Sequence, residues 1–109
     1  MDTATIVIRS QSRSDNCYIF VDSEEIGALP SRGFLRASVD PGSHIIETYS
    51  KTTDDQLKMN ERWKITLRPQ QMARLRMMRI LGPALYPDGH RDFGWEILSL
   101  GDPLEIALG

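Results

Sequence analysis

The sequence predicts an all-β fold: a single antiparallel β-sandwich of about seven strands, immunoglobulin/transthyretin-like, followed by a short C-terminal helical turn. Three observations carry this. No helical period persists through the first 80 residues, whereas period-two alternation does. Turn segments bearing proline or glycine divide the chain at short, regular intervals. The chain has 109 residues, 40% of them hydrophobic, enough for one domain (1–109) with its own core.

The first strand is read over 5–9, where Ile6, Val7 and Ile8 form a β-branched run suited to a pleated surface. A polar turn, 10–16, follows. The second strand, 17–22, sends Cys17, Ile19 and Val21 to one face and Tyr18 and Phe20 to the other. Segment 23–31, punctuated by Gly27 and Pro30, reads as a connector. In the third strand, 34–39, Leu35, Ala37 and Val39 face inward. Asp40, Pro41, Gly42 and Ser43 make a strong turn, because proline presets φ and glycine accepts a positive one. The fourth strand is 44–49, and 51–60 is a polar loop or strand edge.

The fifth strand, 62–67, points Trp63, Ile65 and Leu67 inward and Arg62, Lys64 and Thr66 outward. After a turn at 68–71, the sixth strand, 72–80, points Ala73, Leu75 and Met77 inward and Arg74 and Arg76 outward. A helix over 70–81 competes here, since Met, Ala, Arg and Leu all favour helix. Strand continues the hairpin rhythm and is preferred. Segment 82–94 is a long Pro/Gly-rich loop, and 95–100 is the seventh strand. Asp102, Pro103 and Glu105 then suit the N-cap, N1 and N3 positions of one short helical turn.

The net charge of −2 hides an asymmetry. Between Lys58 and Arg79 lie seven cations and one carboxylate, a block of +6, so the remainder carries −8. If the fifth and sixth strands form a hairpin, Arg62, Lys64, Arg74 and Arg76 share one exposed basic face. That face is a solvated surface, a dock for an acidic protein, or a site for nucleic acid or anionic lipid. Arginine predominates, which suits carboxylate and phosphate forks. Trp63 points inward, so no stacking platform for nucleic acid is evident and such a partner is not expected. The 82–95 loop offers Tyr86, His90, Arg91 and Phe93 as a second contact patch, or as a cover for one end of the sandwich.

Catalytic signals are weak. Cys17 shares a face with Ile19 and Val21 and reads as a buried thiol. One cysteine excludes an intrachain disulfide and a multi-cysteine zinc site. His44 reads as a partly buried imidazole bonded to the turn backbone. His90, near Asp88, Arg91 and Asp92, is the nearest thing to an acid–base cluster but sits in a loop. No cofactor, metal or catalytic residue is expected. No apolar run reaches the roughly 20 residues of a membrane helix. Residues 1–5 lack the features of a signal peptide, which fits a cytoplasmic protein or a mature exported one.

The second to fourth strands carry a recognisable pattern. Cys17-x-Ile19-x-Val21-Asp22 is followed by Ile26-Gly27-x-Leu29-Pro30 and Val39-x-Pro41-Gly42-x-His44-x-Ile46. It resembles PEGA-type domains and a related bacterial family, domain of unknown function 2846. Ser23 stands where that pattern has glycine after the aspartate, so a different turn type is expected there. The resemblance implies a small β-sandwich appended to bacterial envelope or signalling proteins, and no catalytic residues. Together these readings predict a non-catalytic accessory module that binds another protein. Binding would use the basic hairpin face, the 82–95 loop or an exposed strand edge, the last also allowing a homodimer. The alternatives are a ligand- or glycan-binding module and, more remotely, a hydrolase using His90.

Overall fold

Period-two burial organises the chain into nine strands, seen in a computed structural model that describes residues 2–10, 17–29, 32–51, 54–79, 83–88 and 93–100. They are β1 (Ala4–Ser10), β2 (Cys17–Val21), β3 (Glu24–Ala28), β4 (Phe34–Val39), β5 (Gly42–Lys51), β6 (Leu57–Leu67), β7 (Met72–Arg79), β8 (Pro83–Pro87) and β9 (Gly94–Leu100). A four-stranded sheet has the order β4-β1-β7-β8 and a five-stranded sheet the order β3-β2-β5-β6-β9. No helix among the described residues is long and apolar enough to cross a membrane.

The inward faces of the two sheets meet in one core. The four-stranded sheet contributes Ala4, Ile6, Ile8, Ala73, Leu75, Met77 and Leu85. The five-stranded sheet contributes Cys17, Ile19, Val21, Ile46, Ile65 and Leu67, with Leu29 and Phe93 completing the cluster. Each large aliphatic side chain buried this way stabilises the fold by about 1.5–3 kcal/mol before chain entropy is counted. Leu35, Ala37 and Val39 are only half-buried, because β4 is an edge strand with no described strand beyond it in its sheet.

The all-β expectation and the inward sets of the predicted strands are as read from the sequence, and 72–79 is strand rather than helix. Other expectations need correction. The described residues form nine strands rather than about seven: β3 lies in the expected connector and β8 in the expected loop. β6 also reaches back to Leu57, into the segment read as a polar loop or strand edge. The pairing is not wholly antiparallel, since β1 and β7 run parallel. The C-terminal helical turn falls at 101–109, outside the described residues.

The largest correction concerns the basic hairpin. β6 and β7 do not pair, because they belong to different sheets. The turn is present: Gln70 has φ 64°, and the Gln71 N–H donates to the Arg68 carbonyl at 3.1 Å. Beyond it, however, β1 captures the chain. Gln70 N–H donates to the Thr3 carbonyl at 2.8 Å, and Thr5 N–H to the Gln71 carbonyl at 2.9 Å. The turn therefore arches the chain across the core, with Leu67 and Ala73 entering from opposite sheets.

The β2–β3 turn has a defined geometry. Asp22 and Ser23 both have positive φ, 52° and 69°, the signature of a type I′ hairpin turn. Ser23 adopts a positive φ although it is not glycine.

Candidate functional site

Register places the basic side chains. On the outer face of the four-stranded sheet, Val7 lies between Arg36 on β4 and Arg74 on β7. One row further, Arg9 lies between Phe34 and Arg76, and Tyr86 on β8 faces Arg76. Thr5, between Ser38 and Met72, makes the row on the other side. Four arginines thus share a face whose four strands contain no acidic residue. Phe34 is 64% exposed and Tyr86 40%, with Met72 also exposed. A shallow depression of about 440 Å³ lies among Val7, Arg9, Phe34, Arg36, Met72, Arg74 and Asp88.

One carboxylate among the described residues reaches this face. Asp88, just past β8, accepts from Arg9 Nε at 2.6 Å and from Arg9 Nη2 at 3.2 Å. The Arg9 hydrogen bond, aided by the charges of Arg9, Arg76 and Arg74 and opposed by burial, holds the Asp88 carboxyl below its ordinary pKa. Four guanidiniums against this one carboxylate leave about +3. The buried Arg76 Nε has no hydrogen-bond partner among the described residues. That is an unmet donor beneath a cationic surface.

The expected site residues therefore divide. Arg74, Arg76 and Tyr86 come together as described. Arg62 and Lys64 lie on the opposite side of the sandwich, in the five-stranded sheet. Both face carboxylates there. Arg62 Nε and Nη2 donate to Glu47 Oε2 at 3.0 and 2.8 Å, and Lys64 pairs in register with Glu96. Phe93 is 6% exposed and packs in the core, edge-on to Trp95, rather than lying on an exposed patch. His90 and Arg91 lie outside the described residues. Arg9, Arg36, Phe34 and Met72 are additions to the expected set. Each alternates with inward residues, so its outward direction was legible; its neighbours across the sheet were not.

His44 has a second polar cluster around it. Nδ1 lies 2.6 Å from Asp22 Oδ2, and Nε2 lies 2.5 Å from the Asp40 carbonyl oxygen. Both partners present acceptor oxygens to the ring, an arrangement that favours its protonated form. Burial would lower its pKa, but the bonds to Asp22 and Asp40, with the charges of both residues, raise it. Asp22 is itself oriented by the Ile45 N–H, 2.9 Å from Oδ1. Through these bonds His44 ties the β2–β3 turn to the β4–β5 turn. No group of three or more His, Cys, Asp or Glu among the described residues is placed to hold a metal.

Glu61 is the most deeply buried carboxylate described, at 3% exposure. Its Oε1 accepts the Leu85 N–H of β8 at 2.8 Å, and its Oε2 accepts Trp63 Nε1–H at 2.9 Å. Burial pushes its pKa up, and these two bonds offset part of the rise. Both oxygens are occupied within the fold, which makes it a link between the sheets.

Comparison with protein-family models gives no match to this chain, and comparison with curated proteins gives none either.

Proposed function

We propose that the protein is a non-catalytic interaction module whose four-arginine face binds an acidic protein partner. The observation behind this reading is the convergence of Arg9, Arg36, Arg74 and Arg76 on one sheet face, with a single carboxylate beside them among the described residues. Uncompensated arginine with exposed aromatic and methionine side chains is the composition of a binding surface. Exposed Phe34, Met72 and Tyr86 supply the apolar contact that charge alone lacks. The turn pattern of β2 to β5 resembles PEGA-type domains, in keeping with an appended bacterial accessory role. An immunoglobulin/transthyretin-like class of sandwich belongs to the same proposal.

The test is fluorescence anisotropy with a labelled 20-residue oligoglutamate and, in parallel, an oligothymidylate of similar charge. The wild type binds oligoglutamate, more weakly as salt rises. Reversing Arg36 and Arg74 to Glu abolishes binding, and Lys64→Glu on the opposite sheet leaves it unchanged. Preference for oligothymidylate would replace the protein partner by single-stranded nucleic acid. Equal binding by the double reversal would remove the face from consideration.

A further inference from the structure

We propose that the acidic partner docks by adding an extended strand to the open edge of β4, its carboxylates lying on the side of Phe34 and Arg36. This rests on the arginine-face reading above and specifies how the partner is held.

Each sheet has two edges, and they differ in what they can accept. On β8 the Asp88 N–H donates to the Arg74 carbonyl at 2.7 Å. Bonded pairs alternate along an antiparallel ladder, so Pro83, Leu85 and Pro87 turn their backbone groups outward. The prolines have no N–H, and that of Leu85 is held by Glu61. Every donor on that edge is absent or occupied, the usual protection of an edge strand. β3 is five residues long and exposes Glu24 and Glu25, which repel an acidic strand. β9 exposes Ile97 and Leu98, and its only charged residue is Glu96.

β4 is different. The Ser10 N–H donates to the Gly33 carbonyl at 2.9 Å, which fixes the alternation. Leu35, Ala37 and Val39 then bond to β1, and Phe34, Arg36 and Ser38 direct N–H and C=O away from it. No described strand lies beyond β4 in the sheet. The side chains of these same three residues are exposed. A strand laid there puts the residue opposite Arg36 on the arginine face, with Cβ atoms about 5 Å apart. Acidic residues at alternate positions suit that side, and apolar residues between them meet half-buried Leu35 and Ala37. A second copy of β4 would instead bring Arg36 near Arg36, so the occupant is an acidic strand.

The experiment uses the full chain and a labelled peptide, acetyl-Thr-Glu-Val-Glu-Val-Glu-Thr-amide, in anisotropy titrations. A second peptide is N-methylated at its three glutamates, which keeps the charge and removes the N–H groups that would pair with β4. The parent binds, and amide exchange slows at Phe34, Arg36 and Ser38. The methylated peptide binds at least about tenfold more weakly, as does Ser38→Pro, which removes one edge donor and no arginine. Equal binding of both peptides, still abolished by reversing Arg36 and Arg74, overturns strand addition and leaves the arginine face standing. Binding of the parent that survives the reversal overturns the face as well, and so does failure of the parent peptide to bind.

Discussion

Replacing Glu61 by Ala orphans two hydrogen-bond donors inside the sandwich, the Leu85 N–H and Trp63 Nε1–H. A buried donor left without a partner costs about 1–3 kcal/mol. Two of them, less the relief of removing a buried carboxylate, give a loss of about 3 kcal/mol, or roughly 12 °C in Tm for a domain of this size. Glu61→Gln keeps one acceptor but sets its NH₂ group against the other donor, so about half that loss is expected. The pH dependence follows from the raised pKa. A group that binds its proton more tightly when folded contributes most below its ordinary value, here 4.5, and that contribution fades as pH rises through the folded pKa. The wild type therefore loses stability relative to Glu61→Gln above pH 4.5, and the gap between them narrows. Urea unfolding followed by fluorescence of Trp63 and Trp95 at pH 5 and pH 8 measures both effects. An alanine variant as stable as wild type at pH 5, or a gap that widens towards pH 8, would refute this account of the inter-sheet link.

Ser23→Gly should stabilise the protein by about 0.5–1 kcal/mol, because glycine adopts the positive φ of the I′ turn without a Cβ penalty; thermal melts decide it. Gly94→Ala should cost about 1–3 kcal/mol by chemical denaturation, since the new Cβ would sit 2.9 Å from Thr66 Cβ. The Asp22–His44 clamp should be strongest between the two groups' titrations. Its histidine part is complete below the ordinary value of 6.5 and is lost as pH rises through the raised His44 pKa. Its Asp22 part is complete above the ordinary 3.8 and is lost as pH falls through the depressed Asp22 pKa, where bonds from His44 and Ile45 outweigh burial. An NMR titration of His44 should show its pKa fall in Asp22→Asn, and an unchanged value would contradict the clamp.

Strand identity and facing were legible in the sequence because both are local. Side chains alternate along any strand, so Ile6 and Ile8 had to oppose Val7 and Arg9, and Ala73 and Leu75 had to oppose Arg74 and Arg76. Even short strands obey this, but β3 and β8 escaped notice because Gly27 and the prolines at 83 and 87 read as turn signals. The same prolines mark β8 as an edge once its pairing is known.

Which strands are neighbours was decided only by the tertiary structure. The turn at 68–71 has the same residues whether the chain folds back as a hairpin or arches over the core. The choice depends on β1, some sixty residues upstream, which takes the backbone groups of Thr3 and Thr5 to Gln70 and Gln71. That nonlocal parallel pairing separates Arg62 and Lys64 from Arg74 and Arg76 and brings Arg9 and Arg36 to them instead. The sequence by itself determined an all-β chain, which side chains of its recognised strands face outward, and an uneven distribution of charge. The arginine face came from sheet order, because lateral neighbours in a sheet are fixed by long-range hydrogen bonding and burial that no local pattern encodes.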